Sequence, residues 1–217
     1  MKGILLNIDQ HRTLVSIALV WLFIASAMIG IQFGYVEWFI PKTPLNLLLG
    51  AALLFWNLPM ANPRTISLWA FAFTIGLGME IIGVHTGAIF GTYHYGDNLG
   101  IKFLGVPILI GVNWAVLTFI TAAISQHVTR SYPTSAIMAA GLMVGLDILL
   151  EVLAGPFDFW YWADDIVPFQ NYLAWFLIAL FLQLIVQYFI KIRDHRYALH
   201  LFASQVVFFG FCVVMIG

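Results

Sequence analysis

The chain has 217 residues, 62% of them hydrophobic and 9% charged, with a formal net charge of -1. A soluble domain carries about a quarter charged residues, so this is the composition of a polytopic membrane protein, and without a basic patch it excludes a nucleic-acid partner. The single cysteine, Cys212, excludes an intrachain disulfide and a thiolate metal cluster.

No hydrophilic stretch is long enough for a separate soluble domain, so residues 1–217 read as one integral-membrane domain. Crossing the hydrocarbon takes about 20 mostly apolar residues. Seven stretches qualify, roughly 13–32, 44–61, 66–84, 103–124, 134–154, 169–190 and 198–217. The expected fold class is therefore all-α, a polytopic bundle of seven transmembrane helices. The first span follows Lys2 and Arg12 and contains Ala25-Ser26-Ala27, as a signal peptide would. It runs on through Met28 and Ile31 to full spanning length, so it reads as an uncleaved helix.

Basic residues orient the bundle. The N-terminal segment and the second, fourth and sixth loops hold Lys2, Arg12, Arg64, Arg130, Lys191, Arg193 and Arg196, against Lys42 and Lys102 on the other side. The N-terminus is thus expected in the cytoplasm and the C-terminus outside. Eight of the ten acids fall on the outer side: Glu37, Glu80, Asp97, Asp147, Glu151, Asp158, Asp164 and Asp165. Any chemistry is expected there.

The second span carries Asn46, Asn57 and Pro59, and its amides read as interhelical hydrogen-bonders. The third ends in Gly83, Gly87 and Gly91, a side-chain-free stripe if the helix extends that far. Such a stripe serves close helix packing or a smooth wall for a long apolar ligand. Residues 93–98, Tyr-His-Tyr-Gly-Asp-Asn, read as a turn. In the fifth span Asp147 and Glu151 lie four residues apart on one helix face. At 1.5 Å per residue Asp147 is roughly 10 Å deep, Glu151 roughly 5 Å and Glu80 about 6 Å. Carboxyls at matching depth in a bilayer face one cavity, are hydrogen-bonded structural acids, or snorkel to the interface. The aromatic stretch 155–162 is an interfacial belt or a lid of π faces over the acids. Val106-Pro107 precedes Trp114, and Val167-Pro168 precedes Trp175, at the same interval. Spans three–four and five–six therefore read as parallel repeats about an axis along the membrane normal.

These residues carry a family resemblance. Glu80, Gly87, Phe90-Gly91-x-Tyr93-x-Tyr95, Gly105-Val106-Pro107 and Trp114, then Asp147-x-x-x-Glu151, Trp160-x-Trp162 and Pro168-x-x-Asn171-Tyr172-x-x-Trp175, resemble the CruF-type carotenoid-biosynthesis membrane proteins. The best-characterised of these are carotenoid 1,2-hydratases, including bisanhydrobacterioruberin hydratase. The resemblance covers roughly residues 66–190, and it departs from the pattern after Glu151, where Val152 stands and the proline is Pro156.

The resemblance implies addition of water to the terminal trisubstituted alkene of an acyclic carotenoid, or of another long isoprenoid, in a bacterial or archaeal cytoplasmic membrane. The partners implied are that substrate and membrane lipids, and no cofactor or metal is required. A carboxyl kept from water can hold its proton near neutrality, as an acid catalyst must. Aromatic faces attract the cation that protonation creates, by roughly 0.5–2 kcal/mol each. The candidate catalytic residues are Glu80, Asp147 and Glu151: Glu80 or Asp147 as proton donor, the other or Glu151 orienting water. Tyr93, Tyr95, Trp160 and Trp162 are expected to line the cation end, with Asn171 holding water and Trp114 and Trp175 in the substrate site. His85 and Asp158 either exchange protons with the outer face or make loop hydrogen bonds.

Other readings stay open. The same protonation followed by ring closure or proton loss makes a cyclase or isomerase, and the same cavity without turnover makes a carotenoid- or lipid-binding protein or a small transporter. A metal site from Glu80, His85, Asp147 and Glu151 is also conceivable. A retinal Schiff base needs a lysine in the last span, and 198–217 has none. The histidines are too scattered for a diiron hydroxylase.

Overall fold

The computed structural model describes residues 2–58, 62–192 and 194–216, with side chains from residue 10 onward. Pro59, Arg193 and the side chain of Lys2, named above, lie outside it. Helices dominate: α1 (Lys2–Gln32), α2 (Val36–Phe39), α3 (Thr43–Asn57), α4 (Pro63–Thr86), α5 (Ile108–Val128), α6 (Tyr132–Leu153), α7 (Phe169–Phe189) and α8 (Arg196–Ile216). Among the described residues seven spans are long and apolar enough to cross a membrane. At one end of the bundle short strands pair, β1 (Tyr93–Tyr95) with β4 (Trp160–Trp162) and β2 (Lys102–Phe103) with β3 (Val106–Pro107), both antiparallel.

Local chemistry explains several boundaries. At α4 the Asn62 side chain accepts from Arg64 N–H at 3.0 Å with Pro63 as the first helical residue, a capped start. The second span, expected over 44–61, is the single helix α3 (Thr43–Asn57) as far as the described residues reach, and Pro41 and Pro44 mark where a 3-10 turn over Ile40–Lys42 and α2 precede it. The fourth span begins at Ile108 rather than 103, because residues 102–107 form the β2–β3 hairpin.

The glycine stripe is not helical throughout. Helix α4 stops at Thr86, and Gly87 adopts φ +65° with its N–H on Gly83 O at 2.8 Å, a left-handed C-cap that favours glycine. Gly91 has φ +113°, and a Cβ there would lie 2.7 Å from Pro168 Cγ. The glycines therefore turn the chain and admit close neighbours, and do not form a continuous wall for a ligand. Residues 93–95 are likewise a strand, not part of a turn.

Helix α5 runs through the middle of the bundle, and 83% of its span is buried. Such a helix is apolar all round. Trp114, Phe119 and Ile120 are fully enclosed. Below them Gln183 Nε2 donates to Thr118 O at 3.0 Å and Thr121 Oγ1 at 2.9 Å, and Gln187 Nε2 donates to Ser125 Oγ at 3.3 Å, tying α7 to α5. Asn57 joins α3 to α1 by donating to Ser16 Oγ at 2.8 Å.

The two-part pattern of the sequence has a spatial counterpart. In the β1–β4 register Tyr93 faces Trp162, His94 faces Tyr161 and Tyr95 faces Trp160, a local two-fold centred on the middle pair. Trp114 and Trp175, each seven residues after its proline, stack with centroids 4.0 Å apart and planes at 17°.

Candidate active site

Glu80 lies in α4 less than two turns before the Gly87 cap. A Cβ on Gly83 would lie 2.5 Å from the Phe90 ring, so glycine lets the chain fold back over the helix. Strand alternation then turns Tyr93 and Tyr95 inward and His94 outward. Both phenols reach Glu80 Oε2, from Tyr93 at 2.5 Å and from Tyr95 at 2.7 Å. Trp114 Nε1 donates to Oε1 at 3.1 Å. Glu80 is 3% exposed, and both its oxygens are engaged as acceptors. Burial first, and then the charge of Glu80, push the Tyr93 and Tyr95 hydroxyls well above the usual phenol range, which keeps them donors.

The second half repeats this plan with different donors. Glu151 Oε2 accepts from Trp160 Nε1 at 3.0 Å and Trp162 Nε1 at 2.8 Å, the inward residues of β4. Asn171 Nδ2, one turn into α7, donates to Glu151 Oε1 at 2.9 Å and to Asp147 Oδ2 at 3.2 Å. Four residues before each glutamate the halves differ. Asp147 stands there in α6 and Gly76 in α4, where a Cβ would lie 2.4 Å from Trp114 Cβ. Trp114 occupies the space that a second acid would need.

Asp147 is 1% exposed, and its Oδ1 is buried with no hydrogen-bond partner among the described residues. Native proteins rarely leave a buried polar atom unpaired. The three acids line one cavity together with Tyr93, Tyr95, Trp160, Trp162, Asn171 and Trp175. Its non-atom space, including the part open to the outside, is about 690 Å³, well above the roughly 30 Å³ share of one water. Among the described residues no three His, Cys, Asp or Glu side chains approach closely enough to hold a metal ion.

Three of the sequence candidates stand elsewhere. Trp114 lies behind Glu80 and stacks on Trp175. His85 is exposed, with Nδ1 2.8 Å from Ile81 O on its own helix, and is not brought to the acids. Asp158 takes the loop role. Its Oδ2 accepts from Asp97 N–H at 2.9 Å and Asn98 N–H at 3.2 Å, and its Oδ1 accepts from Tyr161 Oη at 2.9 Å. Burial opposes its ionisation, yet these donors and Lys102 hold the carboxyl below the usual range.

The cavity also contains residues that the sequence reading passed over, chiefly Asn113 of α5 and Gln205 of α8. Gln205 is 7% exposed, and its Oε1 is buried without a partner among the described residues. A lone amide in an apolar span reads as interhelical glue, and only the packing of α8 against the bundle brings it to the acids.

No curated protein and no solved structure matches this chain. A family model described as carotenoid biosynthesis protein matches residues 42–217, a range that takes in every residue of the cavity. The chain is therefore an integral membrane protein of the carotenoid biosynthesis family.

Proposed function

We propose that this protein hydrates the terminal double bond of an acyclic carotenoid, with Asp147 as the proton donor. The carrying observation is the inequality of the three carboxyls on one apolar, aromatic wall. Glu80 and Glu151 have hydrogen bonds to both oxygens, whereas Asp147 Oδ1 is buried and unpaired. An unengaged oxygen inside such a cavity is the one that can present a proton to an alkene.

The step balances as follows. The Asp147 proton and the alkene π pair form a C–H bond, leaving a tertiary cation on the neighbouring carbon. The faces of Tyr93, Tyr95, Trp160 and Trp162, and the Glu80 and Glu151 carboxylates behind them, favour that cation. A water oxygen bonds to it, and the proton released returns to Asp147. Gln205 Oε1 is a free acceptor in the same cavity, suited to hold the attacking water. Both Asn171 N–H bonds are directed at Asp147 and Glu151, so its role is to clamp the two acids at fixed spacing. The free acceptor and the room for water favour hydration over cyclisation or isomerisation by the same protonation.

Expression in a host that makes acyclic carotenoids, followed by pigment mass analysis, tests the reading. The expected product gains the mass of one water per end. A product of unchanged mass identifies a cyclase or isomerase instead, and pigment that binds without any conversion identifies a carrier.

A further inference from the structure

The carboxyl cavity, with about 690 Å³ of non-atom space, holds the reacting end group, and the rest of a long isoprenoid must lie beyond it. On the side of the loops the cavity is roofed by paired strands. The β1–β4 pair lies across it with Tyr93, Tyr95 and Trp160 buried beneath. Asp158 ties the 97–98 loop to this cap, and Asn98 Nδ2 donates to Phe157 O at 2.8 Å and Ile40 O at 3.2 Å.

To one side a second cavity adjoins it. This cavity, with about 490 Å³ of non-atom space, lies between α1, α3 and α8 and shares Thr43, Leu47, Gln205 and Phe209 with the first. Its far wall is apolar, from Val20, Phe23 and Ile24 on α1 and Leu201 and Phe208 on α8. These residues stand near the middle of their helices, at bilayer depth, away from either water face. Phe23 is 47% exposed on the outside of the bundle. The second cavity therefore lies between the wall it shares with the acid site and the lipid-facing surface of α1.

We propose that this second cavity is the berth of the substrate's chain and its lateral way in from the membrane, occupied by the acyclic isoprenoid beyond its reacting end. The proposal rests on the reading that the carboxyl cavity takes the end of such a chain. The wall shared by the two cavities, the strand roof over the first and the apolar wall of the second all select a hydrocarbon chain arriving sideways. Gln205, at the junction, marks where the hydrocarbon ends and the water-bearing site begins.

The test is photolabelling of the full-length protein in detergent with a twenty-carbon acyclic prenol that carries a diazirine along its chain. The expected label falls on residues 20–24 and 201–209, and Ile24→Trp, which fills the berth, lowers it at least severalfold. Ile24→Ala, which widens the same wall, retains the label and guards against misfolding of the tryptophan variant. Asp147→Asn also retains it, because the berth does not need the proton. Label confined to residues 88–104 or 155–166, or label unchanged by Ile24→Trp in folded protein, would overturn the proposal. Labelling needs no turnover. A labelled berth in a protein whose pigments gain no water removes hydration and leaves the berth standing, whereas water-adding activity with no label in the berth does the reverse.

Discussion

The decisive perturbation is a pair of isosteric amides, Asp147→Asn and Glu80→Gln, which the geometry separates sharply. In Asp147→Asn the new carbonyl still accepts from Asn171 Nδ2, now at 3.2 Å, and the new NH₂ replaces an oxygen that has no partner among the described residues. Stability is therefore expected to stay within about 1 kcal/mol of the parent. An amide has no proton to give an alkene, so turnover is expected to fall by about 10²–10⁴-fold, or ~3–5.5 kcal/mol of barrier. Glu80→Gln behaves differently, because three donors converge on the carboxylate. The amide nitrogen must face either Trp114 Nε1–H, which cannot accept, or the two phenols. At least one buried donor is orphaned, at about 1–3 kcal/mol of stability. The assay is thermal unfolding of the purified variants beside product formation in pigment-making cells. Near-normal product from Asp147→Asn, or from the double variant, would refute the assignment. So would a Glu80→Gln protein as stable as the parent.

Three further outcomes follow from the same structure. A reporter fused at the C-terminal end is expected to be active outside the cytoplasm, and activity only inside would overturn the orientation read from the basic residues. Gly76→Ala is expected to destabilise by about 1–3 kcal/mol, since its Cβ would lie 2.4 Å from Trp114 Cβ, and a melting curve unchanged from the parent would show that Trp114 can shift freely. The contribution of Asp158 to the outer cap is complete above the ordinary carboxylate value near 4 and is lost as pH falls through its lower folded value. Protection of the Asp97 and Asn98 amides, relative to their intrinsic exchange rates, is expected to fall below about pH 4 in the parent but to be low already at neutral pH in Asp158→Ala, and equal protection in both would count against the cap.

Much of this architecture was legible in the chain because it rests on one-dimensional signals. Apolar length marks the spans, and a carboxylate is so costly in hydrocarbon that Glu80 and Asp147 stood out by depth alone. The alternation Tyr93-His94-Tyr95 and Trp160-Tyr161-Trp162 was also a strand signal, but three residues beside Gly96, Asp97 and Asn98 look like a turn until a partner strand is found 67 positions away, and pairing at that distance has no local trace. The helical glycine stripe failed for the opposite reason. Its spacing was periodic, yet Gly87 takes a backbone conformation that ends the helix. Gln205 was illegible because its meaning comes from α8 packing beside helices far away in sequence.

The way each glutamate finds its donors bears on how the protein is made. Glu80 takes its hydrogen bonds from residues 13, 15 and 34 positions later, and Glu151 from residues 9, 11 and 20 positions later. Every donor belongs to the hairpin that its own helix opens. As the chain leaves the ribosome, α4 and α5 can enter the bilayer as one satisfied unit, and α6 and α7 as another, with neither acid waiting in hydrocarbon for a segment not yet synthesised. Residues 129–131, the link between the units, supply no donor to either glutamate. A break placed there would leave two pieces that each carry a complete glutamate nest, ready to find each other through the indole stack and the paired strands.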